Sequence, residues 1–359
     1  MGESLKFVHD VDSPRVIFGT GSLSSLQSEI TLLGCKKIAL ICDESARATA
    51  SEISLQLGSL VQQRINQVVM HVPDEFTFPI INESKSFDID LVVAIGGGSS
   101  TGLGKIMALE LNIPLLAIPT TYAGSEMTPI WGRTKENKKI TGTDIKVLPR
   151  VVLYEPELTH SLPISISVNS GMNAIAHAVE SLYSPELSPL VELAALRGIE
   201  SMSQGLRELV GGKNISESRE KLFLGSMLCG FTLGNAKMGL HHKICHTLGG
   251  MFNLPHAQMH SAVLPYAIKY NEVYAKESMN KVAEILHSHT ASQGLWNLAR
   301  EVGAETALKN LDFPVEEAGN VAEVISNATM VNPRPFEKEN VVKLLKAAYN
   351  GTRPDDESW

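Results

Sequence analysis

Over its first ~155 residues the chain alternates short unbroken apolar runs with stretches in which apolar residues recur every three or four positions. Lys36–Cys42 (KKIALIC) follows a glycine and is apolar without interruption after its lysines, as a parallel strand buried on both faces requires. Val68–Val72, Ile89–Ile95 (IDLVVAI), Leu115–Ile118 and Val151–Tyr154 are further strand candidates, and Ala46–Leu60 carries helical spacing. Strands separated by helical segments predict βαβ units and a twisted parallel sheet. After Pro156 the texture changes. From Ser170 to Tyr349 the Ala, Leu, Glu and Met residues fall at helical spacing almost throughout, with breaks expected at Gly211–Gly212, Pro265 and Pro333–Pro335. The pattern predicts an α/β nucleotide-binding domain over residues 1–158 and an all-helical domain over 159–359. The boundary lies in EPELTHSLPIS, and a substrate cleft is expected where two such domains meet.

A length of 359 residues agrees with two cores rather than one. Hydrophobic content of 43% with 19% charged residues is that of an ordinary globular protein. The net charge of −8 argues against nucleic acid or an anionic membrane as partner, since both would be repelled. No cationic run followed by an apolar stretch marks a secretory signal, and no apolar run reaches the roughly 20 residues of a membrane helix. The cysteines (Cys35, Cys42, Cys229, Cys245) form no CxxC pair and read as reduced core thiols, so a cytoplasmic location is expected.

Two loops carry candidate cofactor chemistry. Gly96-Gly97-Gly98-Ser99-Ser100 stands directly after an apolar strand and before a helix-like run at Leu103–Leu111. Residues without a Cβ let the backbone approach a diphosphate, and the next helix would present its N–H groups; a plain glycine turn is the alternative. The second loop, from Pro119 to Glu126, offers Thr120, Thr121 and Ser125 to phosphate, ribose or nicotinamide, with helix capping as the competing role. Asp43 ends the first strand, where a carboxylate accepts from an adenosine ribose and repels a 2′-phosphate. That favours NADH, with NADPH the weaker expectation; capping the next helix is again the alternative.

In the helical half, Asn173 and His177 are four residues apart, as are His242 and His246, and His256 follows in NLPHAQ. Imidazoles tolerate burial poorly without partners, so their clustering points to a site. His177, His242 and His256 form an incomplete metal set, because Asn173 brings no negative charge to the fourth corner. No metal is expected, and the imidazoles would act as hydrogen-bond donors and acid–base groups.

Taken together, GGGSS (96–100), PTTYAGSE (119–126), SGMNAIAHAVE (170–180) and GLHHKICHTLGGMFNLPHAQMHSAVLPY (239–266) resemble the successive signatures of iron-type alcohol dehydrogenases. The resemblance covers nearly the whole chain. It implies the fold shared with dehydroquinate synthase, a Rossmann-like N-terminal domain followed by a helical one, and a homodimer formed through the first domain. In metal-binding members the ligands are an Asp, a His four residues later and two His fourteen apart. Asn173, His177, His242 and His256 stand at those places here. Gly102 also stands where many members have Asp. These departures, with TTYAGSEMTPIWG (120–132), KITGTDIKVLP (139–149) and NPRPF (332–336), are similar to the maleylacetate reductase branch, which the resemblance implies works without metal.

The branch implies that NADH delivers hydride to the alkene carbon β to the ketone of maleylacetate, a small dicarboxylate, giving 3-oxoadipate. His242 and His256 are then expected to meet the enolate oxygen, and His246 or His177 to relay the proton to carbon. Tyr122, Arg133 and Lys243 are candidate substrate contacts, with Arg334 and Lys146 behind them. A metal-dependent alcohol dehydrogenase or aldehyde reductase of the same fold is the main alternative. A lyase like dehydroquinate synthase would want a metal cluster and several phosphate-binding cations. A non-catalytic nucleotide binder leaves the cost of buried imidazoles without a purpose.

Overall fold

The structure, a computed structural model, describes residues 7–136, 138–185 and 187–354. It divides into two compact units, Asp12–Leu162 and a helical unit of Pro163–Trp359 that also takes in Met1–Val11. The division falls between Leu162 and Pro163, and the N-terminal arm belongs to the helical unit. His9 Nδ1, for example, lies 3.0 Å from Ser188 Oγ.

The α/β unit is built from β1 (Arg15–Phe18), α1 (Leu26–Leu33), β2 (Ile38–Cys42), α2 (Arg47–Leu57), β3 (Val61–Ile65), α3 (Asp74–Ser86), β4 (Leu91–Gly96), α4 (Gly98–Leu111), β5 (Leu115–Pro119), β6 (Ile130–Lys135), β7 (Lys138–Thr143) and β8 (Val151–Tyr154). Six strands form a parallel sheet in the order β1-β8-β5-β4-β2-β3. Every residue of β2, β4, β5 and β8 is buried. Their alternate side chains enter opposite cores: Ile38, Leu40, Leu91 and Val93 pack with α1 and α2, while Ala39, Ile41, Val92 and Ala94 pack with α3 and α4. Burial on both faces is why these strands read as unbroken apolar runs. From β2 the chain passes to β3 on one side, then crosses back to β4 on the other, so the carboxyl ends of β2 and β4 flank the reversal point where ligands bind in open α/β sheets.

One strand expectation is corrected here. Val68–Val72 is not a strand; His71 and Val72 have positive φ (65° and 49°) and bend the chain into α3. The strand is Val61–Ile65, an edge strand whose Gln62 and Arg64 face solvent and whose inward middle residue is a buried glutamine, Gln63, which hid it. Lys138–Thr143, which contains the KITGT of the motif, pairs with Ile130–Lys135 as an antiparallel ribbon of β7 and β6 outside the parallel sheet.

The helical unit comprises α5 (Ile164–Ser181), α6 (Pro189–Val210), α7 (Ile215–Asn235), α8 (Leu240–Phe252), α9 (His256–Asn271), α10 (Lys276–Ile285), α11 (Ala291–Val302), α12 (Ala318–Ser326) and α13 (Lys338–Asn350). Breaks fall at Gly211–Gly212 and Pro333–Pro335 as expected, but Pro265 lies inside α9. A proline there removes one helical hydrogen bond at a cost of about 3 kcal/mol. Burial of every residue from Met259 to Asn271 offsets it, with Tyr266, Ala267 and Tyr270 packed against Val341, Leu344 and Leu345. At the centre of the unit α5 is buried along almost its whole length and packs on α6, α7 and α9.

Candidate active site

At the reversal point in the α/β unit, Asp43 at the end of β2 ties down the glycine loop after β4. Its Oδ2 accepts from the Gly97 N–H (3.0 Å) and lies 3.4 Å from Ser100 Oγ, while Oδ1 accepts from the Ala46 N–H (3.0 Å) and Ser45 Oγ (2.6 Å). Gly96 has φ 138°, and a Cβ there would stand 2.3 Å from Asp43 Oδ2, so no other residue fits. A Cβ on Gly98, the first residue of α4, would meet nothing within 4 Å. The N-cap Gly97 lends α4 no side-chain acceptor, which leaves the helix N-terminus facing open space beside Ser99. Thr120 is buried, Thr121 approaches Gly97, and Ser125 Oγ is buried without a partner among the described residues.

Sequence reasoning passed over Lys105, although it sits in the same α4. It is buried, and its Nζ stands within hydrogen-bonding distance of the carbonyls of Ser125 (2.6 Å), Thr128 (2.7 Å) and Ile130 (2.7 Å) and of Thr128 Oγ1 (3.0 Å), four oxygens that share its three N–H groups. Burial pulls its pKa down to about 7, opposed by the charge of Glu126. A shell made only of oxygens is the shell of an ammonium, since a neutral amine would turn a lone pair toward one of them. The lysine therefore anchors the loop that carries Thr121, Tyr122 and Ser125. Behind that loop Glu126 accepts from the Tyr154 hydroxyl (2.7 Å), and burial pushes both groups up in pKa.

In the helical unit, Asn173, His177 and Glu180 are spaced i, i+4 and i+7 along one face of α5 and are all buried. The C-terminus of α8 is set by Asn253 in the left-handed conformation, and Pro255 then starts α9 at His256. This short turn brings His242, His246, His256 and His260 into one cluster with His177 and His241. Ring centroids are 4.9 Å apart for His177–His242, 6.0 Å for His242–His246, 5.1 Å for His242–His260 and 4.3 Å for His256–His260. His241 and His260 are wholly buried, His177 and His242 nearly so, and His246 and His256 are exposed. Burial lowers His242 and His260 well below the usual imidazole value and brings His241 to about 4, helped by neighbouring histidines.

The N-terminus of α8 has no capping side chain of its own, because its N-cap is Gly239. Remote residues serve instead. Glu180 Oε1 accepts from the His241 N–H (2.8 Å), Glu180 Oε2 from the His242 N–H (3.3 Å), and Asn332 Oδ1 from the Leu240 N–H (3.3 Å). Asn332 opens the NPRPF motif, which thereby acquires a place in the site's framework. Glu180 Oε2 also makes a short hydrogen bond with His242 Nδ1, His242 Nε2 lies 2.8 Å from His177 Nδ1, and His177 Nε2 lies 3.3 Å from Asn173 Nδ2. Glu180, His241 and His260 are the members that sequence reasoning missed. The i+4 step from His256 to His260 and the carboxylate three residues past His177 were the available signals.

The candidate substrate contacts have these surroundings. Arg133, on β6, is held by Glu110 (3.0 Å) and Asp74 (3.5 Å) and stacks on Phe78 and Trp131, so its charge is already matched. Arg334 stacks on Tyr270 and pairs with Glu337 (3.6 Å). Lys146 is exposed next to Asp144, Lys243 is half-buried on α8, and Tyr122 is fully buried in its loop.

Residues 13–156 match the family model of iron-containing alcohol dehydrogenases, and residues 167–349 that of the C-terminal region of the Fe-containing alcohol dehydrogenase family. The chain belongs to this family and is an oxidoreductase. It is 43% identical to a maleylacetate reductase of Burkholderia cepacia over 97% of this chain and 99% of that protein. The solved maleylacetate reductase of Rhizobium sp. strain MTP-10005 superposes with a TM-score of 0.94 at 38% identity, covering 98% of this chain and 100% of that one. A putative alcohol dehydrogenase from Ralstonia eutropha JMP134 gives a TM-score of 0.95 at 42% identity, again over 98% and 100%.

The family's name implies iron, and the donors here do not fit a resident divalent cation. The one position of the set that would carry negative charge is an amide, whose Nδ2 faces His177 and whose Oδ1 has no hydrogen-bond partner among the described residues. Both nitrogens of His242 are engaged, one by Glu180 and one by His177. Two further groups, Glu180–His241–His242 and His241–Cys245–His260, bring possible ligand atoms within 4.8 Å. In the first, Glu180 is taken up by backbone N–H groups and His242; in the second, His241 Nε2 faces the carbonyl of His260 (3.1 Å), while neither ring nitrogen of His260 has a hydrogen-bond partner among the described residues.

Proposed function

We propose that this protein reduces maleylacetate to 3-oxoadipate with NADH, in the breakdown of aromatic compounds, and that it does so without a resident metal. The observation that carries the proposal is the imidazole cluster closed by hydrogen bonds onto Asn173 and Glu180, in a chain similar to maleylacetate reductases from end to end. In this reaction NADH gives a hydride to the alkene carbon β to the ketone, the ketone oxygen gains the charge of an enolate, and a proton then adds to the neighbouring carbon. The sum consumes one NADH and one proton per maleylacetate and releases NAD+ and 3-oxoadipate.

An enolate is less basic than a simple alkoxide, so neutral N–H donors held in place can meet its charge. Of the histidines expected in that role, His256 is exposed, whereas His242 is buried with both nitrogens engaged. His256 is therefore the donor to oxygen and His246, also exposed, the proton source for carbon, with His242 and His177 behind them. Asp43 supports NADH over NADPH, since its carboxylate at the reversal point would repel a 2′-phosphate. The glycine loop, Ser99, Thr121 and Ser125 are assigned to the cofactor. The reaction requires nicotinamide and imidazoles to reach one substrate, and homodimer formation remains part of the proposal.

His256→Ala should lower kcat by about 100-fold or more, the usual cost of losing one oxyanion donor, with a smaller change in KM. His242→Ala should also lower kcat. Unchanged kcat in both variants would overturn the assignment of this cluster as the catalytic centre.

A further inference from the structure

We propose that Glu180 is a positioning residue that, together with Asn173, gives the buried histidine pair a single proton direction, so that His242 and His177 both carry their proton on Nδ1. The inference deepens the function proposed above and rests on it for its catalytic meaning. Its structural content stands on hydrogen bonds alone.

The order follows link by link. Glu180 receives the backbone N–H groups of His241 and His242, at the positive end of α8, and the Tyr183 hydroxyl (3.2 Å), in addition to His242 Nδ1. With three other donors aimed at it, the carboxyl group acts as an acceptor, and the proton between it and His242 resides on Nδ1. His242 Nε2 is then a lone pair, so the 2.8 Å contact to His177 must be donated by His177 Nδ1. His177 Nε2 is in turn a lone pair, and Asn173 presents its Nδ2 to it, which can only donate. An acceptor at one end and a donor at the other leave one arrangement in which every contact is a hydrogen bond. A free histidine side chain prefers the opposite tautomer, with its proton on Nε2, so the scaffold is imposing this state.

This direction decides what the pair can do. A proton entering at either imidazole can be passed on only if Glu180 remains an acceptor for His242, and a reversal would require the Asn173 amide to turn its oxygen to His177. Glu180 thus acts on the reaction through His242 without touching substrate.

The test is histidine-selective 15N NMR on the intact protein, supported by steady-state kinetics. In the wild type, His242 and His177 should both show Nδ1 protonated and Nε2 bare at neutral pH. Glu180→Gln keeps an oxygen for the backbone N–H of His241 but turns an NH2 toward His242. His242 should then carry its proton on Nε2, and His177 should follow. kcat should fall about 10- to 100-fold, as for other residues that orient an active imidazole, while KM for maleylacetate stays within about threefold. A wild-type spectrum with the proton on Nε2 of His242 overturns the inference, as does a Gln variant with unaltered tautomers. If the variant does not fold, the wild-type spectrum decides alone. The spectrum needs no substrate, so failure to turn over maleylacetate would remove the proposed function and leave the proton direction standing.

Discussion

At the scale of single residues, the substitution that matters most is an amide at position 173. With a carboxylate there, the two-imidazole chain would end in an acceptor at both ends, Glu180 facing His242 and the introduced carboxylate facing His177. Each neutral imidazole would turn its proton outward, and two lone pairs would meet across a gap that is 2.8 Å here. Only a proton or a cation between them relieves that conflict. On the function proposed above, this gives a physical reason why an Asp at this position would call for a cation and why Asn173 would not. Asn173→Asp should accordingly bind about one equivalent of Zn2+ more tightly than the wild type, read by calorimetry or by metal content after dialysis. Equal, negligible binding by both proteins would contradict it. A second residue-scale device is Lys105, a lone buried ammonium whose shell of loop oxygens holds the segment of Thr121, Tyr122 and Ser125 in place.

At the scale of elements, the face shared by α5, α8 and α9 collects imidazoles that burial keeps neutral. His241 titrates near 4 in the folded chain against an ordinary 6.5, and His242 and His260 are also lowered, chiefly by desolvation. The unfolded chain therefore binds more protons below pH 6.5. Stability from this face is complete above that pH and declines as pH falls toward 4, by a little over ~1 kcal/mol per pH unit for each histidine. Glu180, whose pKa burial raises, takes up a proton early and offsets part of one such loss. Denaturant melts between pH 7 and 5 should show the unfolding midpoint dropping with decreasing pH, and His241→Gln or His260→Gln should flatten the slope. A midpoint independent of pH would contradict the neutral, buried state of these groups.

The elements that could be read in the sequence were those with burial on two faces or a strict helical period. β2, β4, β5 and β8 announced themselves as unbroken apolar runs, α5 carried Asn173 and His177 at i+4, and α8 carried His242 and His246 at i+4. β3 did not, because Gln62 and Arg64 face solvent and its buried middle position is Gln63, and β6 and β7 did not, because their ribbon is mostly solvent-facing. Pro265 misled because tertiary burial outweighed its local cost. In the site, spacing exposed Asn173, His177, His242 and His256. Glu180 stayed hidden since its role is to cap a helix that begins sixty residues later in the chain.

For the whole molecule, two units with separate cores carry separate parts of the chemistry: a glycine loop braced by Asp43 in one, and an ordered imidazole network in the other. No helix among the described residues is long and apolar enough to cross a membrane. The same two-part architecture serves relatives named for iron, so family membership leaves the metal question to the donors themselves. The most direct test of the account is NADH oxidation with maleylacetate as substrate, using protein dialysed exhaustively against a strong chelator and analysed for metal. The account predicts undiminished turnover with metal far below one equivalent per chain. Turnover that disappears on chelation and returns only with added iron or zinc would contradict it.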